Sequence, residues 1–230
     1  MSIESRKRLV AARFEGEADI WRQVHSKRIE DIIQFEIARR KAIAREFIQQ
    51  QFSGKPISIL EIGCGAGQNL DEIVYSDARR QGKGVDVAQA MIESCRARYH
   101  SKNRISFETL DIDTGYLNEQ FDVIMLLGVV GYLGSNRMAF QNIERMLRPG
   151  GYVILTFGKK YSLARLCRSL YQRSKDLVRR AVIRIAGQPL FGGRGSRENL
   201  FRCFSLSEIK RCFPPDWRLI SSFNLAFGIG

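Results

Sequence analysis

At 230 residues with 44% hydrophobic content, the chain is long enough to bury the core of one α/β domain with appended elements. No apolar run approaches the ~18 to 20 residues of a bilayer-spanning helix, and the charged start Met1–Val10 has no apolar centre of a secretory leader, so a cytoplasmic protein is expected. The five cysteines (Cys64, Cys95, Cys167, Cys203, Cys212) are scattered without a C-x-x-C pair, which argues against a disulfide framework or a zinc site and for packing roles.

The formal charge of +13 is concentrated late: residues 158–212 hold fourteen Lys and Arg against three Asp and Glu. Such a block attracts polyanions, anionic lipid surfaces or acidic substrates, and it also aids solubility.

Residues 1–19 are polar with few apolar anchors and read as a mobile leader. From Ile20 to Phe52, apolar residues at Ile29, Ile32, Ile33, Ile37, Ala44, Phe47 and Ile48 recur at helical spacing, which predicts an amphipathic helix, whole or broken in two. Gly54-Lys55-Pro56 ends it. Residues 1–55 are thus a helical leader or cap on a domain spanning 56–230.

The apolar run Ile57–Ile62 then enters Glu61-Ile62-Gly63-Cys64-Gly65-Ala66-Gly67 and a helical pattern leaves it: strand, glycine turn, helix. Alternate glycines let the backbone turn sharply and let a ligand approach the main chain and the following helix N-terminus. The G-x-G-x-G spacing departs from the G-x-G-x-x-G of dinucleotide sites. Helix is expected over Asn69–Ser76, with Gly82-Lys83-Gly84 as its stop, then a short strand Gly84–Val87 and a helix Gln89–Tyr99. Asp86 follows the glycines by about 20 residues, where a doubly wound fold brings an acid to the ribose hydroxyls; an acid at a strand end also serves as a helix N-cap.

Ile105–Glu108 alternates like a strand, and Asp111 and Asp113 follow in what reads as a loop. Phe121–Leu127 is a buried-type strand. A helix over Asn142–Leu147, the turn Arg148-Pro149-Gly150-Gly151 and a fifth strand Tyr152–Phe157 complete an order of alternating strand and helix. That order calls for a parallel, doubly wound sheet with its ligand crevice at the carboxyl ends of the strands. Within 158–200, apolar residues from Leu163 to Ile185 keep helical spacing with Arg and Lys between them, and Gly192-Gly193-Arg194-Gly195 makes a basic loop. A lid, a partner-binding face and an element lying on an anionic membrane surface all fit this pattern. A Ser-capped helix near Leu206–Phe213 and strands near Trp217–Ile220 and Leu225–Phe227 end the chain.

Taken together, the E-x-G-x-G-x-G segment, the acid at Asp86, the Phe121-Asp122 strand opening and Leu147-Arg148-Pro149-Gly150-Gly151 resemble, in that order, the motifs of class I S-adenosylmethionine-dependent methyltransferases over residues 56–157. The resemblance implies a seven-stranded Rossmann-like α/β sheet and S-adenosylmethionine as the bound donor. It implies that Glu61, Gly63, Cys64, Gly65 and Gly67 meet the donor's methionine end, Asp86 and Val87 its ribose, and Asp111 and Ile112 its adenine. Leu126 and Leu127 would wall the pocket. It also implies that N-terminal helices lie across the donor, so that Trp21 and His25 line a site; otherwise Trp21 packs on the domain and His25 is at the surface. The (Asp/Asn/Ser)-Pro-Pro-aromatic motif of nucleic-acid amino methylation is missing after Leu127, and Tyr132 stands where many small-molecule members have His. The catalytic base stays open among Tyr132, His25 and His100. The expected acceptor is a small molecule methylated at oxygen, anionic, saccharide or lipid-linked; an RNA acceptor and a noncatalytic binding protein are the alternatives.

Overall fold

A computed structural model of the chain describes residues 3–16, 32–160 and 200–222. In chain order the elements are α1 (Ile3–Gly16), α2 (Ile32–Phe52), β1 (Ile57–Ile62), α3 (Gln68–Tyr75), β2 (Arg80–Asp86), α4 (Gln89–Arg98), β3 (Ile105–Thr109), β4 (Phe121–Leu126), α5 (Asn136–Met146) and β5 (Leu147–Leu155). The short elements β6 (Gly158–Lys159), β7 (Cys203–Phe204) and α6 (Leu206–Lys210) follow. The five long strands form one sheet in the order β3-β2-β1-β4-β5, each neighbouring pair parallel.

Strand periodicity divides the core into two layers. Ile59, Val123 and Met125 face one apolar cluster with Ile48 of α2, Leu70 and Ile73 of α3, and Ile92 of α4. Their sequence neighbours Leu60, Ile62, Ile124 and Leu126 face the other with Phe140 and Ile143 of α5 and Ile209 of α6. Both faces of the sheet are therefore covered, as parallel strands require. The strand order reverses between β1 and β4, which opens a crevice at their carboxyl ends.

Several expectations need correction. Gly82-Lys83-Gly84 does not stop a helix but lies inside β2. A Cβ at Gly82 would stand 2.7 Å from Val74 and 2.8 Å from Leu70, and one at Gly84 2.7 Å from Phe107; these glycines let α3 and β3 side chains approach the strand closely. α5 begins at Asn136, six residues before the expected Asn142, because the Ser135 hydroxyl accepts from Met138 N and caps it there. Leu147 already pairs with Phe121, and the register resumes at Val123 with Tyr152, so Arg148–Gly151 is an irregularity within β5 where Gly150 takes φ 76°.

Among the described residues the sheet holds five strands, not seven. Trp217–Ile220 is not a strand; the Trp217 ring packs at 5.8 Å from Phe140 and 5.7 Å from Phe213 instead. Residues 225–227, and 161–199 of the basic segment, lie outside the described residues. The expected Ser cap is present: Ser205 and Glu208 form a capping box on α6.

The N-terminal leader is also corrected, since residues 3–16 are helix α1 docked on the domain. Arg6, only 9% exposed, donates to Leu133 O and Gly131 O, each at 2.8 Å, and to Leu200 O. At the other end of α1, Glu15 accepts from Gln89 N (2.6 Å) and Ala90 N (3.0 Å), supplying free N–H groups of α4 with the acceptor its Ala88 N-cap lacks.

Gly84→Ala should cost about 1 to 3 kcal/mol of stability, because the added methyl forces Phe107 or Cys64 from its packed position. Chemical denaturation measures it; a loss below about 0.5 kcal/mol would mean that this contact yields freely.

Candidate functional site

The glycine turn after β1 is held by the end of β2. Gly63 N and Cys64 N donate to Val85 O at 2.7 and 3.0 Å, and Gly65 N donates to Asp86 Oδ2 at 2.9 Å. Gly63, Gly65 and Gly67 all have φ between 51 and 73°, a region that side chains disfavour. Asp86 Oδ1 accepts from Ala88 N at 3.0 Å, so the same acid caps the loop into α4 and braces the turn.

Of the residues expected at a ligand site, Glu61, Gly63, Cys64, Gly65, Asp86, Val87, Asp111, Ile112 and Leu127 line one crevice at the carboxyl ends of the strands. Two do not. Gly67 lies behind the turn, where a Cβ would meet the Phe107 and Tyr99 rings at 2.9 Å. Leu126 is fully buried in the core.

The crevice is rich in unsatisfied polar atoms. Glu61, 4% exposed, accepts from Asn69 Nδ2 at 2.7 Å through Oε1, while its Oε2, Asn69 Oδ1 and Gln68 Oε1 are buried without a hydrogen-bond partner. Burial pushes the Glu61 carboxyl up to about 7, against the opposing pull of Asn69, Lys41 and Arg40. Burial also raises Asp86, opposed by the N–H groups of Ala88, Gly65 and Val87. A hydrogen bond with Cys95, then burial, raise the Cys64 thiol.

Sequence reasoning missed much of the wall. Lys7, Val10 and Phe14 of α1 and Arg40 and Lys41 of α2 line the same crevice. Lys7 Nζ stands 2.7 Å from Asp111 Oδ2 and 3.4 Å from Asp113 Oδ2. Asp113, expected as a loop acid, is 3% exposed and accepts from Gly134 N (2.7 Å) and Ser135 N (3.0 Å) at the start of α5. Lys7, Val10 and Phe14 share one helical face by their spacing, a signal legible in principle but masked by the surrounding charge. Tyr132 lines the crevice with its ring edge-on to Phe14 at 5.1 Å and to Phe201 at 5.0 Å. His100 is exposed at the end of α4, with Nδ1 3.0 Å from Ala97 O, and is not part of the crevice lining. Trp21 and His25 lie outside the described residues.

Residues 60–155 match a family model described as "Methyltransferase domain". The chain is similar in fold to magnesium protoporphyrin IX methyltransferase from Synechocystis PCC 6803 with bound SAH, at a TM-score of 0.63 and 16% identity over 90% of this chain and 86% of that one. Residues 60–155 thus carry a methyltransferase domain. Among curated relatives of this methyltransferase domain, Nodulation protein S of Rhizobium tropici is 31% identical over 118 residues, covering 50% of this chain and 49% of that protein. Malonyl-[acyl-carrier protein] O-methyltransferase 2 of Ilyobacter polytropus is 27% identical over 108 residues, 46% of this chain and 42% of that protein. The chain thus spans under half the length of these curated relatives. A methyltransferase domain implies S-adenosylmethionine as the methyl donor. Among the described residues no helix is long and apolar enough to cross a membrane.

The raised Glu61 carboxyl makes a signed prediction for the protein alone. Its pKa rises from about 4.5 unfolded to about 7 folded, so the folded state binds the proton more tightly. The stability this contributes is present below pH 4.5 and is lost as pH rises to about 7. Glu61→Gln should remove that loss, gaining up to roughly 3 kcal/mol over the native protein at pH 8 relative to pH 4.5. Denaturation midpoints of both proteins across this range check it; parallel curves would contradict it.

Proposed function

We propose that the protein transfers a methyl group from S-adenosylmethionine to a small-molecule acceptor, at oxygen. The observation that carries this reading is the line of three acids along one crevice: Glu61 at the end of β1, Asp86 at the end of β2 and Asp111 just after β3. With the strand order β3-β2-β1, that line suits an extended nucleoside with an amino-acid tail.

The residues present fit such a donor. Glu61 Oε2, Asn69 Oδ1 and Gln68 Oε1, buried and unpartnered, are acceptors suited to an α-ammonium, and the main chain at Gly63, Cys64 and Gly65 has no bulk to bar the methionine end. Asp86, beside Val87, retains lone pairs for ribose hydroxyls. Asp111 would accept from the adenine amino group, with Ile112 against the ring. Leu127 walls the crevice; Leu126 supports it from the core and Gly67 holds the turn. Bound there, the donor supplies an electrophilic methyl on a sulfonium. The chain's part is to align that carbon with the acceptor and keep water out. Residues 1–55 serve as the cap on the donor domain, with α1 roofing its adenine end through Lys7. The printed name of the Ilyobacter relative, an O-methyltransferase for a malonyl group, supports oxygen transfer and an acceptor with a negative charge.

Two measurements follow. Methyl-labelled donor incubated with fractionated metabolite extract should label a small product; label remaining wholly in the donor would oppose the reading. Asp111→Ala should weaken equilibrium binding of S-adenosylhomocysteine, the demethylated donor, about tenfold, the loss of one hydrogen bond from the base to a charged acceptor. Unchanged affinity would remove Asp111 from the site.

A further inference from the structure

The acid assigned to the adenine amino group already has a cation standing on it. Lys7 Nζ of α1 donates to Asp111 Oδ2 at 2.7 Å and lies 3.4 Å from Asp113 Oδ2. The Lys7 side chain is 17% exposed, and both Lys7 and Asp111 line the crevice. This ion pair is therefore part of the surface that a bound base meets.

The fold fixes the pair without needing it for charge balance. Asp111 Oδ1 accepts from Asp113 N at 3.0 Å, and Asp111 O accepts from Thr114 N and Gly115 N at 3.0 and 2.9 Å, so the carboxylate is held by its own turn. Asp113 gives its oxygens to Gly134 N and Ser135 N and has two further cations, Arg6 and Arg202, acting on it. Among the described residues, three cations thus gather about two acids. Lys7 is set by its neighbours on α1: Arg6 is bonded to Leu133 O and Gly131 O, and Val10, one turn on, is buried.

Hydrogen-bonding capacity remains on both partners. An ammonium carries three N–H donors; among the described residues one goes to Asp111 and a second turns toward Asp113, which leaves a third for the crevice. Asp111 Oδ2 keeps a second lone pair beside the one that Lys7 takes. An acceptor and a donor therefore stand side by side, 2.7 Å apart. The amino edge of adenine is their complement, since its amino group donates and the ring nitrogens flanking it, N1 and N7, accept.

Resting on the donor-site reading, we propose that Lys7 reads the adenine of the donor by donating to a ring nitrogen beside the amino group that Asp111 takes. The base is then gripped by a matched pair drawn from two elements, the loop after β3 and helix α1. Lys7 touches none of the reacting atoms; it sets which base the site accepts. N1 and N7 are the same acceptor chemistry, and the analogues that lack one or the other tell them apart.

S-adenosylhomocysteine and three analogues in which a C–H replaces N1, N7 or N3 are titrated calorimetrically into the native protein and into Lys7→Met, which keeps the stem and removes the charge. In the native protein, loss of N1 or of N7 should weaken binding about tenfold, the worth of one hydrogen bond from a charged donor, while loss of N3, on the far side of the base, changes it by less than about twofold. Lys7→Met should weaken S-adenosylhomocysteine by a similar factor and bind it and the sensitive analogue within about twofold of each other. Native protein that binds all four nucleosides alike overturns the proposal without recourse to any variant. So does Lys7→Met that keeps the native discrimination, weakening all four by one factor as a cation that only docks α1 would. Native protein that binds none of the four would instead remove the methyltransferase reading, and the role of Lys7 with it.

Discussion

The carboxyl end of β2 is the constraint on which the rest of the site depends. Val85 O takes the N–H groups of Gly63 and Cys64, and the Asp86 carboxylate divides itself between Gly65 N in the turn and Ala88 N before α4. The turn can be tight because its residues are glycines with left-handed backbone, and it stays tight because β2 supplies acceptors for its donors. Asp86 is nearly buried yet still lines the crevice. Strand order, turn shape and the polar character of the crevice thus meet in one side chain.

From that fixed floor the crevice is closed by the two N-terminal helices. α1 is fastened at both ends: Arg6 to carbonyls of the loop after β4 and of Leu200, and Glu15 to the first N–H groups of α4. It therefore bridges the two sides of the strand-order reversal, with Lys7 set over Asp111 and Asp113 between its anchors. α2 contributes Ile48 to the core and Arg40 and Lys41 to the crevice, so one helix both completes a packing layer and lines the site. A site of three acids and unpartnered oxygens is suited to a ligand that presents N–H and O–H donors.

The parts legible in the sequence were those whose causes are local. Ile57–Ile62, the glycines and Asp86 declare strand, turn and next strand end within 30 residues, while an alternating run marked β3 and a continuous apolar run marked β4. Gly82 and Gly84 were misread because glycine as punctuation and glycine as clearance for Val74, Leu70 and Phe107 look alike without the packing partner. α1 was misread because its partners are remote: Arg6 bonds to residues 125 to 194 positions away, and the helical spacing of Val10 and Phe14 is masked by the charges around it. Asp113 shows the same limit, since its buried role depends on Gly134 and Ser135. Trp217 carried the pattern of a strand, but its ring found Phe140 and Phe213, and aromatic packing prevailed over local propensity.

The central claim is that the edge held by Asp86 receives a nucleoside whose tail runs from β3 toward β1. A crystal structure of the protein with S-adenosylhomocysteine tests it most directly. The account predicts the adenine at Asp111, the ribose hydroxyls on Asp86 and the amino-acid tail beside Glu61, with the sulfur facing Gly128. A nucleoside bound in the opposite direction or outside this crevice would contradict it.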